Sequence, residues 1–247
     1  MYKLDIVIPV YNEGENILET LRGLKKNVHT PFRVLICYDF DEDNTLPVIK
    51  NVNNLGMEIV FVKNPGKGVH RAIVAGFDAS TASAILMFPA DEAYNTGIID
   101  AMYREFEGGS DVVVASRFMK GGSMDGGPVI KSAIVRIASF ILRYIVRVPA
   151  SDVSYGFRLF SKRILDRVEI ESTEGFTYAI ELLVKCHRLG WKVSEVPAKW
   201  LRREKGTSRF NFKKWLPHYA KWFFYALETT YLRKGPNTVK LKSKALL

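Results

Sequence analysis

Cysteine is scarce in this 247-residue chain: there are two, Cys37 and Cys186, far apart in sequence. So few exclude a disulfide scaffold, and both read as buried, reduced thiols of a reducing compartment. The opening MYKLDIVIPVYNE places Asp5 before any long apolar run and has no small-residue cleavage site, so a secretory leader is not expected. The longest apolar stretch, Lys131–Val148, is interrupted by Arg136, Arg143 and Arg147. At about 18 residues it would barely span a bilayer, and each central arginine would add ~2.5–3.5 kcal/mol to insertion. A spanning helix is therefore excluded. No GxxxxGK[ST] segment occurs, and no GxGxxG follows the first strand, which argues against P-loop hydrolases and dinucleotide dehydrogenases. Internal repeats and low-complexity tracts are also missing.

What is present is the balance of an ordinary globular protein, with 47% apolar and 25% charged residues. A chain of this length buries roughly three quarters of its unfolded surface and needs no metal or disulfide staple. The 36 Lys and Arg against 26 Asp and Glu leave a formal charge of +10. That surplus points to an anionic partner: nucleic acid, a phosphorylated substrate or an acidic membrane surface.

Short β-branched runs alternate with helical periodicity through the first half. Strands are expected at Leu4–Val10, Phe32–Tyr38, Met57–Val62, Ala84–Phe88 and Asp111–Ser116. Helices are expected at Asn12–Lys25 (capped by Asn12), Thr45–Asn53, Val69–Ala79 and Gly97–Glu107. This order predicts an α/β fold with a mainly parallel, twisted sheet and helices on both faces. In the second half, Lys131–Val148 reads as a basic amphipathic helix, lying on a membrane or packed on the sheet with its arginines in water. Gly156–Phe160 and Lys192–Val196 read as strands, and Phe176–Leu189 as a helix with Gly190 at its end. Phe210–Leu232 is aromatic and basic, with Pro217 suited to a helix's first turn, and the basic tail from Lys234 is expected to fray.

In open α/β sheets ligands bind outside the carboxyl ends of the strands. Three acidic loops fall there: Pro9–Glu13, Asp39–Asp43 and Asp91-Glu92. Clustered acids repel one another unless a cation or a donor-rich ligand sits among them. Asp39 and Asp91 directly follow strands, and Asp91 suits a hard cation such as Mg²⁺ or Mn²⁺. Asp43 and Glu42 read instead as carboxylates capping the next helix. The Gly66-Lys67-Gly68 loop opens a helix, where amides and Lys67 suit a phosphate.

Seven segments, in order, resemble the family 2 glycosyltransferases, and within them the polyprenol- or dolichyl-phosphate mannosyltransferase-like group. They are IVIPVYNEGENI (Ile6–Ile17), YDFDEDNT (Tyr38–Thr45), NPGKGVHRAIVAGFDAS (Asn64–Ser80), LMFPADEAYN (Leu86–Asn95), ASRFMKGG (Ala115–Gly122), DVSYGFRLFSKRIL (Asp152–Leu165) and EVPAKWLRREKGTSRF (Glu195–Phe210). The resemblance implies a GT-A type fold over residues 1–228, with a nucleotide-sugar half (1–116), an acceptor-side half (117–228) and a basic tail (229–247). It implies inverting transfer from a GDP- or UDP-sugar. Asp39 would hold the base or ribose, with Pro9, Tyr11, Glu13 and Ala90 lining the same pocket and Lys67 near the phosphates. Asp91 would hold the Mg²⁺ or Mn²⁺. The first aspartate of the family's DxD motif is Pro89 here, leaving Asp91 with Glu92 beside it.

The same resemblance implies a lipid-phosphate acceptor held by Arg117, Lys131, Arg202, Arg203, Ser208 and Arg209, with Arg203 and Ser208 in an RxxGxS pattern. Asp91, Arg117 and Arg203 would carry the catalysis. A lipid monophosphate, with a second pKa of about 6, is already anionic and needs cationic positioning rather than a base. Such an enzyme would sit peripherally on the cytoplasmic face of an anionic membrane, alone or with a membrane-protein partner, and not on nucleic acid. A hydroxyl acceptor would instead require a carboxylate base, for which Asp152 and Glu174 are candidates. A nucleotidyltransferase would share the strand-end acids but release pyrophosphate. Arg158 reads as a structural residue, ion-paired at the sheet edge.

Overall fold

The computed structural model describes residues 2–52, 55–126, 129–202, 212–232 and 236–243. In chain order the elements are β1 (Leu4–Pro9), α1 (Ile17–Asn27), β2 (Phe32–Tyr38), α2 (Thr45–Lys50), β3 (Ile59–Lys63), α3 (Val69–Ala79), β4 (Ala84–Met87), α4 (Ile99–Glu107), β5 (Val112–Ser116), β6 (Ser123–Met124), α5 (Val129–Phe140), β7 (Arg158–Ser161), α6 (Lys162–Arg167), α7 (Tyr178–Arg188), β8 (Val193–Pro197), β9 (Lys199–Trp200) and α8 (Phe212–Tyr231). A 3₁₀ stretch, Ala93–Ile98, leads into α4, and a π-helical turn, Ile141–Ile145, continues α5.

Seven strands form one sheet in the order β3-β2-β1-β4-β7-β5-β8. Alternate side chains of these strands feed two cores. On one face Val7, Leu35, Met87, Val114 and Phe160 pack with α3, α7 and α8. On the other Ile6, Ile36, Leu86, Val113 and Leu159 pack with α1, α2 and α4. Burial on both faces explains why these strands read as unbroken apolar runs rather than alternating ones. Gly76 of α3 lies against β1 and β2, where a Cβ would meet Val7 Cγ1 at 2.4 Å and Cys37 Sγ at 2.7 Å; only glycine permits that approach.

All sheet pairings are parallel except those of β7, which runs antiparallel to β4 and to β5. Topology follows from this. The parallel strands deliver their carboxyl ends to one rim, and β7 starts at that rim, so the loop 152–157 joins the acidic loops there. At the opposite end, buried Asp5 takes a bidentate bond from Arg33 (2.7 and 3.1 Å) and backbone amides from Thr81 and Ala82 (2.7 and 3.0 Å). Burial resists its ionisation, but these donors outweigh that and hold its carboxyl below the usual range.

Several expectations need correction. Asn12 does not cap α1, which begins five residues later; Asn12 sits at φ 56° with its Oδ1 accepting from Asn44 N at 3.1 Å. A side chain committed to a neighbouring loop cannot also cap a helix. Pro217 lies inside α8 rather than in its first turn. In the tail, Leu241 bridges Val168, and Glu169 N donates to Lys240 O at 3.0 Å, so 236–243 packs on the domain instead of fraying. Gly190 does close α7, at φ 69°. Arg158 is not at an edge, because β7 lies between β4 and β5, and among the described residues it forms no direct ion pair. Its guanidinium is fully buried and donates to the carbonyls of Tyr155, Ala179 and Asp152 at 2.8, 2.6 and 3.0 Å.

Candidate active site

The loops after β1 and β2 are zipped together. Asp43 is fully buried and accepts from Asn12 N (2.9 Å) and Thr45 N (2.9 Å), while Glu13 N donates to Thr45 Oγ1 (2.9 Å). Asp43 is thus the structural carboxylate its position suggests. Glu13's own carboxylate accepts from Asn16 Nδ2 at 2.9 Å. Asp39 spans to the glycine loop: its two oxygens accept from Asn64 Nδ2 (2.7 Å) and Gly68 N (2.8 Å). Gly68, at φ 94°, holds a conformation other residues avoid and is the N-cap of α3. Tyr11, exposed, packs edge-on against Phe40 with ring centroids 5.3 Å apart. Lys67 is exposed beside them. Asp39, Tyr11 and the start of α3 therefore share one stretch of the rim, where aromatic edges and a carboxylate could hold a nucleoside.

The loop after β4 carries Asp91, half-buried, and Glu92, buried. Ala90's carbonyl is pinned by Thr20 Oγ1 at 2.7 Å. Glu92 turns inward, accepting from Tyr155 Oη and from Asn95 Nδ2. Burial, reinforced by nearby Asp91, pushes its pKa up to about 7 despite those donors. Glu92 is therefore committed to the fold and is no partner for Asp91 in holding an ion. Position 89 offers only a proline. Among the described residues no cluster of three His, Cys, Asp or Glu can bind a metal. The donor set fits a cation that takes one protein carboxylate, Asp91, and fills its remaining sites with phosphate oxygens and water, as Mg²⁺ often does.

Arg117, after β5, is also buried. Its Nε and a terminal nitrogen donate to Asp152 Oδ2 (2.6 Å) and Oδ1 (3.0 Å), and a further bond reaches Ser154 Oγ at 3.0 Å. The guanidinium lies over the Tyr155 ring, 4.6 Å from its centroid. Burial opposes ionisation of Asp152, but the charge and hydrogen bonds of Arg117 prevail and hold its carboxyl below the usual range. Asp152 is an anchor, poorly suited to accept a proton. Glu174 lies half-buried in the turn before α7.

The structure thus gathers Pro9, Tyr11, Glu13, Asp39, Lys67, Ala90, Asp91 and Arg117 at the loops of one rim. Arg202 is exposed just after β9, its Cβ 3.0 Å from where a Cβ on Gly126 would stand. Arg203, Ser208, Arg209 and the side chain of Lys131 lie outside the described residues. Tyr155 and Asn95 escaped sequence reasoning: both are ordinary core or turn residues until the fold brings 92, 117 and 155 together. A cavity of about 560 Å³ between Lys50, Leu55, Met57 and Phe61 lies by α2 and β3, away from Asp39 and Asp91.

A mainly parallel α/β sheet with acids and a buried arginine at its carboxyl rim places these side chains where open α/β sheets bind their ligands. The chain belongs to glycosyl transferase family 2, whose profile matches residues 5–169, and it is accordingly a glycosyltransferase rather than a nucleotidyltransferase. It is 24% identical over 213 residues to the polyprenol monophosphomannose synthase of Mycolicibacterium smegmatis, spanning 83% of this chain and 80% of that protein. It is 25% identical over 216 residues to the dolichol-phosphate mannosyltransferase of Pyrococcus furiosus, spanning 85% of this chain but only 60% of that protein. The fold is similar to the glucosyl-3-phosphoglycerate synthase of Mycobacterium tuberculosis crystallised with Mn²⁺, UDP and phosphoglyceric acid (TM-score 0.64, 14% identity, 93% of this chain and 78% of that one). The GT-A fold expected from the sequence is the fold observed.

Proposed function

We propose that this chain moves a sugar, with inversion, from a GDP- or UDP-sugar to a polyprenyl or dolichyl phosphate. A phosphate oxygen of the acceptor attacks the anomeric carbon as the bond to the donor's diphosphate breaks, and the nucleoside diphosphate departs. Asp39 and Tyr11 would hold the nucleoside, with Pro9, Glu13 and Ala90 lining its pocket. Lys67 and the amides at the start of α3 would face the phosphates. A Mg²⁺ or Mn²⁺ ion, when bound at Asp91, offsets the charge gathering on the leaving diphosphate.

One observation favours the anionic acceptor: Asp152, one of the two carboxylates (with Glu174) that could serve a hydroxyl acceptor as base, is locked to Arg117. An acceptor that arrives already anionic needs no such base. Beyond the bonds of Nε and Nη2 to Asp152 and Ser154, Arg117 Nη1 meets the weak acceptor Met124 Sδ at 3.9 Å, and with Lys131, Arg202, Arg203, Ser208 and Arg209 it would position the lipid phosphate. The names of the two relatives support the same acceptor class.

The second support lies on the surface. Ile137, Phe140 and Tyr144 are 60%, 59% and 63% exposed along α5 and its π turn, with Arg136 and Arg147 exposed nearby and Arg143 paired to Glu195. Tyr231 Oη joins this turn to α8 through Ile145 O at 2.8 Å. Isoleucines in water beside arginines suit the headgroup layer of an anionic leaflet. On α8 most aromatics turn inward: Trp222 is buried, Tyr219, Phe223 and Tyr225 pack on the core, and Phe224 and Tyr231 stay exposed. Among the described residues no helix is long and apolar enough to cross a membrane, so the proposed attachment is peripheral, at the cytoplasmic face and open to a membrane-protein partner.

Paired acceptors test the reading. In detergent, with the accepted nucleotide-sugar, polyprenyl phosphate should be glycosylated at least about 100-fold faster than the matching polyprenol, which lacks the charge that the arginines recognise. Equal rates, or transfer to the alcohol alone, would reject the phosphate acceptor.

A further inference from the structure

We propose that Asn95 is a positioning residue that couples occupancy of the donor side, at Asp91, to the order of the acceptor-side strand β9. The proposal rests on the reading above, since it takes Asp91 for the donor's loop and 199–203 for the acceptor's.

Asn95 lies four residues beyond Asp91, in the 3₁₀ stretch, and is almost fully buried. Its side chain treats Lys199 as a neighbouring strand would: Lys199 N donates to Asn95 Oδ1 at 3.1 Å, and Asn95 Nδ2 donates to Lys199 O at 2.8 Å. The second Nδ2 hydrogen goes to Glu92 Oε2 at 3.0 Å. Both donors and the acceptor of the amide are therefore used. Tyr94 adds a parallel link, its Oη accepting from Leu201 N at 3.2 Å. The segment so gripped pairs with β6, then runs through Leu201 into Arg202 and Arg203.

The geometry is a direct mechanical path. Glu92 is the residue next to Asp91, and its carboxylate holds the amide that holds β9. Glu92 is also bound by Tyr155 Oη, and the Tyr155 ring carries Arg117. A ligand that fixes the backbone at Asp91 thereby fixes the Glu92–Asn95 turn, and with it the amides of Lys199 and Leu201. Coupling of this kind is reciprocal, and its typical size is about 5–150-fold in affinity.

Hydrogen–deuterium exchange at the amides of Lys199 and Leu201 reads the coupling directly. In the unmodified chain, saturating UDP or GDP with Mn²⁺ should slow both by at least about fivefold. In Asn95→Ala the nucleotide should bind within about twofold of the parent while the slowing disappears. The acceptor KM for polyprenyl phosphate should then rise about fivefold or more, with donor KM nearly unchanged. Tyr94→Phe, which removes one hydroxyl from a partly exposed ring, should lose the effect at Leu201 and keep it at Lys199. Should Asn95→Ala fail to fold, Asn95→Ser, too short to bond both Lys199 N and Lys199 O, decides: unchanged slowing at Lys199 overturns the coupling. Nucleotide binding with no response at 199–201 in the parent, or an equal response in Asn95→Ala, likewise overturns it and leaves the transferase reading standing. Failure of every nucleoside diphosphate to bind overturns both.

Discussion

Replacing Asp91 with alanine should reduce sugar transfer by about 100- to 1000-fold, the scale of removing one preorganised electrostatic group. It should also abolish the extra thermal stabilisation that Mn²⁺ adds to a bound nucleoside diphosphate. The size follows from the neighbourhood. Position 89 is proline, and Glu92 already accepts from Tyr155 and Asn95 inside the fold. No adjacent carboxylate can take over the ion. Asp39→Ala should fail differently. Asp39 accepts from Asn64 and from the Gly68 amide, so its loss should weaken nucleotide binding with or without the metal. Thermal shifts with GDP-, UDP- and dTDP-sugars, each with and without Mn²⁺, separate the two. An unchanged metal-dependent shift in Asp91→Ala would remove Asp91 from the metal site.

The second large effect is expected at Asp152. Asp152→Ala leaves the buried guanidinium of Arg117 without its counter-charge, and breaking a buried pair in this way costs about 3–5 kcal/mol. For a chain of this size that lowers Tm by on the order of 10 °C. The pair also gives a pH signature. The folded carboxyl titrates below its unfolded value, so the unfolded state binds protons first as pH falls. The stabilisation is complete above the unfolded pKa of about 4 and is lost as the pH drops through the lower folded pKa. Asp152→Asn should flatten that acid limb of a denaturation profile. Combining Arg117→Met with Asp152→Asn should recover much of the stability while leaving transfer inactive, because the uncompensated charge is gone but so is the donor proposed to meet the acceptor phosphate. Recovery of activity in the double variant would mean that Arg117 is only structural.

The helices and strands of the first half were readable because β1, β2, β4 and β5 are buried on both faces, the edge strand β3 is partly so, and each helix shows one apolar stripe. Strand order was less so. Nothing in the sequence of Arg158–Ser161 says that it inserts antiparallel between β4 and β5. That insertion is what brings Asp152 and Tyr155 to Arg117. Arg158 misled for a related reason: an arginine in a strand suggests an edge, whereas three carbonyls satisfy it in the interior. Its pKa is nonetheless pushed down by burial, to about 10. Asn12 and Asp43 show the converse. Both are good capping types, but only Asp43 acts beside its own helix, because Asn12's side chain is engaged across the loops. At the site, residue types marked Asp39, which directly follows β2, and Asp91, which stands four residues beyond Met87 at the end of β4 rather than directly after it. Glu92, Asn95 and Tyr155 carry no local signal, since their roles exist only once three distant segments meet. The isoleucines of α5 were readable as an amphipathic pattern, yet which side met solvent depended on the sheet's other occupants.

The most direct measurement is a crystal structure of the full chain grown with Mn²⁺ and the nucleoside diphosphate that raises its Tm most. The account predicts the nucleoside beside Asp39 and Tyr11, and the ion within coordinating distance of the Asp91 carboxylate. A diphosphate bound away from the carboxyl rim, or an ion held without Asp91, would contradict it.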